Sequence, residues 1–99
     1  SLLPQLDLFA DPVRARLLLL IEPQEMSVGE MAEVLQLPQP TVSRHLKALA
    51  DAGWVTSRAE GTSRLYTMAR DGLDAPTRRL WLLVRDSPPG KPRLVAVPA

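Results

Sequence analysis

Residues 27–52 read Ser-Val-Gly-Glu-Met-Ala-Glu-Val-Leu-Gln-Leu-Pro-Gln-Pro-Thr-Val-Ser-Arg-His-Leu-Lys-Ala-Leu-Ala-Asp-Ala, and their pattern decides the fold. Ser27 followed three positions later by Glu30 is a capping box, in which each side chain satisfies an orphan N–H of a helix start. Val28, Met31, Ala32 and Leu35 then recur at the spacing of one helical face. Leu37 sits in the connection, where an apolar side chain can plug the angle between two helices. Pro38 and Pro40 are placed in the first turn of the next helix, the part that tolerates proline. That second helix is expected to bury Val42, Leu46, Leu49 and Ala50 and to stop at Gly53. Two amphipathic helices joined by a turn of about four residues form the helix-turn-helix pattern, whose second helix can enter the major groove of DNA.

Outward from this pair, Trp54–Arg58 and Arg64–Met68 are rich in β-formers and separated by Ala-Glu-Gly-Thr-Ser. A five-residue glycine-containing loop between such runs predicts a hairpin. With Arg58 opposite Arg64, Thr56 would face Tyr66 and Trp54 would face Met68. Upstream, Leu2, Leu3, Leu6 and Phe9 suggest a short first helix ending near Ala10. Asp11-Pro12 has the form of an N-cap followed by proline at the first helical position. The helix from Val13 to about Ile21 is apolar nearly all round after Arg16, which predicts a buried central helix stopped by Pro23. Downstream, Asp71-Gly72 marks a turn, and a last helix runs from about Ala75 to Arg85. The predicted fold class is therefore mainly α with a small β-hairpin wing, a winged helix-turn-helix over residues 1–86. Residues 87–99, with Pro88, Pro89, Pro92 and Pro98, have the composition of a tail or linker.

With 99 residues there is room for one small domain. Only four residues are aromatic, so Leu, Val, Ala and Met must supply most of the core. The apolar run Leu17–Ile21 is too short to span a bilayer, no signal-like segment opens the chain, and cysteine is absent. A cytoplasmic protein without membrane contact, disulfides or thiolate metal sites is expected. The net charge of +1 is uninformative, but its distribution is not. Residues 1–38 carry −4, residues 39–66 carry +2 and residues 67–99 carry +3, so positive charge is biased towards the segments expected to meet phosphate.

On a helical wheel centred on Val42, Pro40, Ser43, Arg44, Lys47 and Asp51 point away from the core, with Thr41 and Gln39 at the margins. Arg can donate two bonds to guanine, Gln can pair with adenine, and Ser or Thr can bond phosphate or a base edge. The candidate DNA-binding residues are thus Gln39, Pro40, Thr41, Ser43, Arg44 and Lys47, joined by Arg58 and Arg64 as phosphate clamps on the hairpin. His45, the only histidine, sits at the edge of the buried face and is assigned to packing or backbone bonding rather than to phosphate. Tyr66 should be half core, half polar tip. Leu80, Trp81, Leu82, Leu83 and Val84 give the last helix more apolar surface than one small core needs, which favours a homodimer. No catalytic site emerges: the carboxylates are scattered, no serine has an evident base, and no Gly-rich phosphate loop exists. Neither a cofactor nor a metal is expected, and the chain is not expected to be an enzyme.

Three stretches resemble the ArsR-type winged helix regulators: Leu8-Phe9-Ala10-Asp11-Pro12-Val13-Arg14-Ala15-Arg16-Leu17-Leu18, Pro40-Thr41-Val42-Ser43-Arg44-His45-Leu46-Lys47-Ala48-Leu49, and Ala52-Gly53-Trp54-Val55 with Glu60-Gly61 to Tyr66. The resemblance covers about residues 6–85 and implies a homodimeric transcriptional repressor that binds double-stranded DNA. It further implies pairing through the first and last helices, with Gln39, Thr41, Ser43 and Arg44 reading DNA. Two departures matter. Where arsenic and cadmium sensors of the family carry a cysteine motif, this chain has Ser27-Val28-Gly29-Glu30-Met31-Ala32, and its last helix lacks histidine, so metal sensing is not expected. Pro40 stands where relatives often place serine, which removes one hydroxyl contact. The chain also resembles the N-terminal module of fusions with an S-adenosylmethionine-dependent methyltransferase, an enzyme that would lie outside these residues. A winged helix that binds protein instead of DNA is the third reading, and the basic outer face of residues 39–52 argues against it.

Overall fold

The centre of the molecule is the apolar helix that follows Asp11. In the computed structural model, which describes residues 3–86, this helix (α2, Pro12–Ile21) follows a short α1 (Leu3–Leu8). Asp11 caps it by accepting a hydrogen bond from the Val13 N–H at 3.0 Å. Leu17, Leu18 and Ile21 are fully buried, as the apolar circumference of the helix predicts. The Pro-rich end at 87–99 lies outside the described residues.

A two-residue strand, β1 (Met26–Ser27), leads directly into α3 (Val28–Leu35). Both halves of the Ser27–Glu30 capping box are formed, with bonds of 3.2 and 2.9 Å. The α3 helix ends with Gln36 in the left-handed region at φ 57°. The Leu37 N–H donates to the Ala32 carbonyl and the Gln36 N–H to the Glu33 carbonyl, the Schellman pattern of a helix stop. Pro38 is the N-cap of α4 (Gln39–Asp51), one position earlier than the first turn, and Pro40 is its second residue. At the far end Gly53, at φ 85°, permits the same stop: Trp54 N–H reaches the Leu49 carbonyl and Gly53 N–H the Ala50 carbonyl.

Val42, Leu46 and Leu49 are buried as expected, but Ala50 is exposed. The inward stripe of α4 runs along 42, 46 and 49 with Ala48 and Ala52 at its border, which leaves position 50 on the solvent side. Trp54 is not a strand residue facing Met68. It is the residue after the glycine stop, fully buried, with its ring edge on Phe9 (centroids 5.1 Å, 88°) and near Trp81 (6.3 Å). Its indole N–H donates to Gln5 Oε1 at 2.6 Å, pinning α1 to the core.

The hairpin also differs from the expected register. Strands β2 (Val55–Glu60) and β3 (Ser63–Met68) run to a two-residue turn at Gly61-Thr62, not a five-residue loop. Gly61 takes φ 62°, the positive value a tight hairpin turn with glycine at its first central position requires. Arg58 therefore faces Leu65, Ala59 faces Arg64, Thr56 faces Thr67, Ser57 faces Tyr66 and Val55 faces Met68. The sheet has a third member: β1 pairs with β3 through Met26↔Tyr66 and Ser27↔Leu65, giving the order β1-β3-β2. A 3₁₀ turn (Arg70–Gly72) leads to α5 (Ala75–Asp86), whose start is held by Asp74 accepting from the Thr77 N–H at 2.9 Å. That bond, with the Thr77 hydroxyl contributing first, holds the Asp74 carboxyl below the usual carboxylate range. Trp81 turns inward from α5, and its indole N–H and the Arg85 guanidinium both donate to Glu22 Oε2 at the end of α2. Leu82 and Leu83 remain exposed at 44% and 69%. Among the described residues no helix is long and apolar enough to cross a membrane.

Candidate nucleic-acid interface

The outer face of α4 is the one the sequence predicts. Gln39, Pro40, Ser43, Arg44 and Lys47 are all exposed, and Thr41 is half-buried at the margin. Lys47 lies 3.5 Å from Asp51 one turn on, a loose surface pair that does little to hold it. Among the described residues Arg44 has no hydrogen-bond or ion-pair partner, so its planar fork of donors is uncommitted. All of these residues lie on the helix that the α3 stop and Pro38 aim outward.

His45 is held inside. Its side chain is 14% exposed; Nδ1 accepts from Arg14 Nε at 3.2 Å, and Nε2 lies 3.5 Å from Asp11 Oδ2. The histidine thus joins α4 to α2 through side chains, where the sequence suggested packing or a backbone bond.

The wing arginines do not share a face. Side chains alternate across a strand, so the one-residue change in register sends Arg58 and Arg64 to opposite faces of the hairpin. Arg64 donates to Ser57 Oγ at 2.9 Å and lines a groove of about 350 Å³ together with Ser63, Gln39 and Gly29. The wing tip, the start of α3 and the start of α4 thus share one concave surface. Gly29 lies close to the Gln39 side chain across it: a Cβ there would stand in ordinary contact, 3.4 Å from Gln39 Nε2. Arg58, on the other face, is bonded twice to Glu25 and once to Glu60. The Arg58 bond is the first cause holding the Glu25 carboxyl below its usual range, and Glu25 in turn raises the affinity of Arg58 for its proton. Sequence reasoning missed Glu25, because it lies in no motif and acts through Arg58, 33 positions away in the chain.

Among the described residues no three His, Cys, Asp or Glu side chains gather as metal ligands would.

Comparison with known proteins bears on this arrangement. Residues 9–58 match the family model described as a helix-turn-helix domain, half of the chain. The chain is 44% identical over 64 residues to an HTH-type transcriptional regulator of Methanocaldococcus jannaschii, covering 64% of this chain and 72% of that protein. It is 35% identical over 69 residues to the arsenical resistance operon repressor of Staphylococcus xylosus, covering 70% and 66%. The chain belongs to the ArsR-type winged helix-turn-helix family of transcriptional regulators. The solution structure of the homodimeric winged helix-turn-helix DNA-binding domain Mb0332 from Mycobacterium bovis superposes with a TM-score of 0.66 at 30% identity, covering 82% of this chain and 71% of that one. The family membership accounts for the winged helix-turn-helix fold. The chain spans just under two thirds of the Staphylococcus repressor's length.

Proposed function

We propose that this ArsR-type chain acts as a dimeric, sequence-specific DNA-binding repressor. The observation that carries the reading is the face of α4: Gln39, Ser43, Arg44 and Lys47 are exposed and suited to base and phosphate contact, with the Arg44 fork uncommitted. In this reading α4 lies in the major groove, Arg44 reads a base edge, and Gln39, Thr41 and Ser43 contact bases or phosphate near the N-terminal end of the helix. Pro40 supplies shape without a hydroxyl. Lys47 and Arg64 hold phosphates on either side.

A single copy would engage only a few base pairs, and the exposed leucines suggest how two copies join. Leu3 and Leu6 of α1 and Leu82 and Leu83 of α5 are 74%, 50%, 44% and 69% exposed. Burying them against a second copy recovers apolar surface that the monomer leaves in water. Dimerisation through α1 and α5 then presents two α4 helices to half-sites about 10 base pairs apart, the spacing of one helical turn.

The experiment is a footprint and titration on the DNA upstream of the chain's own gene, compared with scrambled duplex. The expected result is protection of a two-fold symmetric site, with affinity falling on the order of 10³-fold between 50 and 200 mM salt if six to eight phosphates are neutralised. Equal affinity for scrambled duplex, or a flat salt response, contradicts the proposal.

A further inference from the structure

Arg58 and Arg64 stand six residues apart on one hairpin, yet their surroundings differ in kind. Arg58 Nε donates to Glu25 Oε2 and Nη2 to Glu25 Oε1, both at 2.8 Å, the two-pronged geometry of a strong arginine–carboxylate pair. Nη2 also lies 2.9 Å from Glu60 Oε1. The three groups together carry a charge of −1, so a phosphate approaching Arg58 meets two carboxylates already in place. Among the described residues Arg64 has no carboxylate partner: it donates to the Ser57 hydroxyl and lines the groove shared with Gln39.

The position of Glu25 gives the pair a mechanical meaning. Glu25 immediately precedes β1, at one edge of the sheet, while Arg58 belongs to β2 at the other edge, with β3 between them. The bridge therefore spans all three strands. β1 is only two residues long and pairs at only two positions, so its own ladder holds it weakly. Its second residue, Ser27, is also the N-cap of α3. Whatever fixes β1 to the wing fixes the start of the first helix of the helix-turn-helix.

We propose that Arg58 is a positioning residue, a strut that locks the wing to the entry of α3 through Glu25, and that phosphate contact on the wing belongs to Arg64. The inference rests on the DNA-binding reading for its consequence, and on the sheet alone for its structural part. Removing the strut lets the wing tip, and Arg64 with it, move relative to α4. No phosphate contact is lost in the process.

Lysine separates the two roles. It keeps the charge a phosphate needs and loses the fork the bridge needs. The test uses the intact chain and the variants R58K, R58Q, E25Q, the double variant R58Q/E25Q, and R64Q. Backbone amide exchange at Met26, the β1 residue whose N–H turns to β3 rather than to the Glu30 cap, is read without DNA, and operator affinity is read across a salt series. In the absence of DNA, exchange at this amide should quicken by about two- to fivefold in R58K, R58Q and E25Q, the range set by an exposed ion pair. The double variant should be no faster than either single one. On operator DNA, R58K and R58Q should weaken binding by a similar factor with an unchanged salt slope, while R64Q lowers the slope by about one per subunit. Unchanged amide exchange overturns the strut whatever happens with DNA. R58K binding like the unaltered chain while R58Q loses affinity and slope overturns it too, and makes Arg58 a phosphate contact. If the unaltered chain binds no duplex specifically, the DNA reading fails while the exchange result still decides the strut.

Discussion

Arg14 and His45 connect the central helix to the proposed recognition helix: the guanidinium donates from Nε to His45 Nδ1 at 3.2 Å and from Nη1 to the Leu8 carbonyl at 2.9 Å. One side chain thereby satisfies the end of α1 and the inner edge of α4 together. Replacing Arg14 by methionine keeps much of the apolar stem and removes both donors. It should destabilise the fold by about 1–3 kcal/mol, because two part-buried acceptors lose their partner. Urea unfolding checks this; a change within experimental error would show that neither bond contributes.

The two ends of α3 should respond in opposite directions to single substitutions. Ser27→Ala removes the oxygen that accepts from the Glu30 N–H and should cost about 1 kcal/mol. Gln36→Gly relieves a non-glycine residue held at φ 57°, a conformation that costs roughly 1–2 kcal/mol for an L-residue. It forfeits only the exposed bond from Gln36 Nε2 to the Glu33 carbonyl. The glycine variant should therefore melt above the unaltered chain, and the alanine variant below it. A glycine variant that melts lower would mean that the side-chain bond outweighs the strain.

The Arg58–Glu25 bridge has a defined pH dependence. The folded state holds the Glu25 carboxyl below its usual range, chiefly through the bond from Arg58. A carboxyl depressed on folding contributes stability above its unfolded pKa and loses it as pH falls through the lower folded value. The bridge should thus be intact from pH 8 down to the ordinary carboxylate range and should loosen only below it. Following the Glu25 carboxyl by NMR during an acid titration tests this. A midpoint at or above that of an unstructured glutamate would show that Arg58 does not hold it in solution.

Zinc, cadmium or arsenite should not release the chain from DNA. Cysteine is absent, His45 is the only histidine, and that ring is engaged with Arg14 and Asp11. Ordinary zinc or cadmium sites need several nitrogen or sulfur ligands. A micromolar metal effect on operator affinity, reversed by chelator, would reveal a carboxylate site instead.

Legibility in the sequence followed the range of the interaction. The Asp11 cap, the Ser27–Glu30 box and the Gly53 stop are all local chemistry, and each forms as the sequence predicts. The outer face of α4 was equally legible, because helical spacing alone separates Ser43, Arg44 and Lys47 from Val42, Leu46 and Leu49. The hairpin register was not. Ala59, Glu60 and Ser63 are exposed and show no apolar alternation, so nothing in them marks which face is inward. A positive φ at Gly61 decides it, and one residue of difference moves Arg58 and Arg64 to opposite faces. β1 escaped notice for a related reason: two residues carry no periodicity, and their partners lie about forty positions away. The partner of Arg58 is likewise non-local, 33 residues distant at Glu25.

Base reading by α4 is decided by the contrast between Arg44→Ala and Arg64→Ala. Each variant is titrated against operator and scrambled duplex over a salt series. Both should stay folded, since both side chains are exposed. Arg44→Ala should cost roughly 1–3 kcal/mol per half-site on the operator, relax specificity at one base position, and leave scrambled-duplex binding nearly unchanged. Arg64→Ala should weaken both duplexes by similar factors and lower the salt slope by about one per subunit. If Arg44→Ala instead weakens operator and scrambled DNA alike, Arg44 holds phosphate, and the claim that its fork reads a base is contradicted.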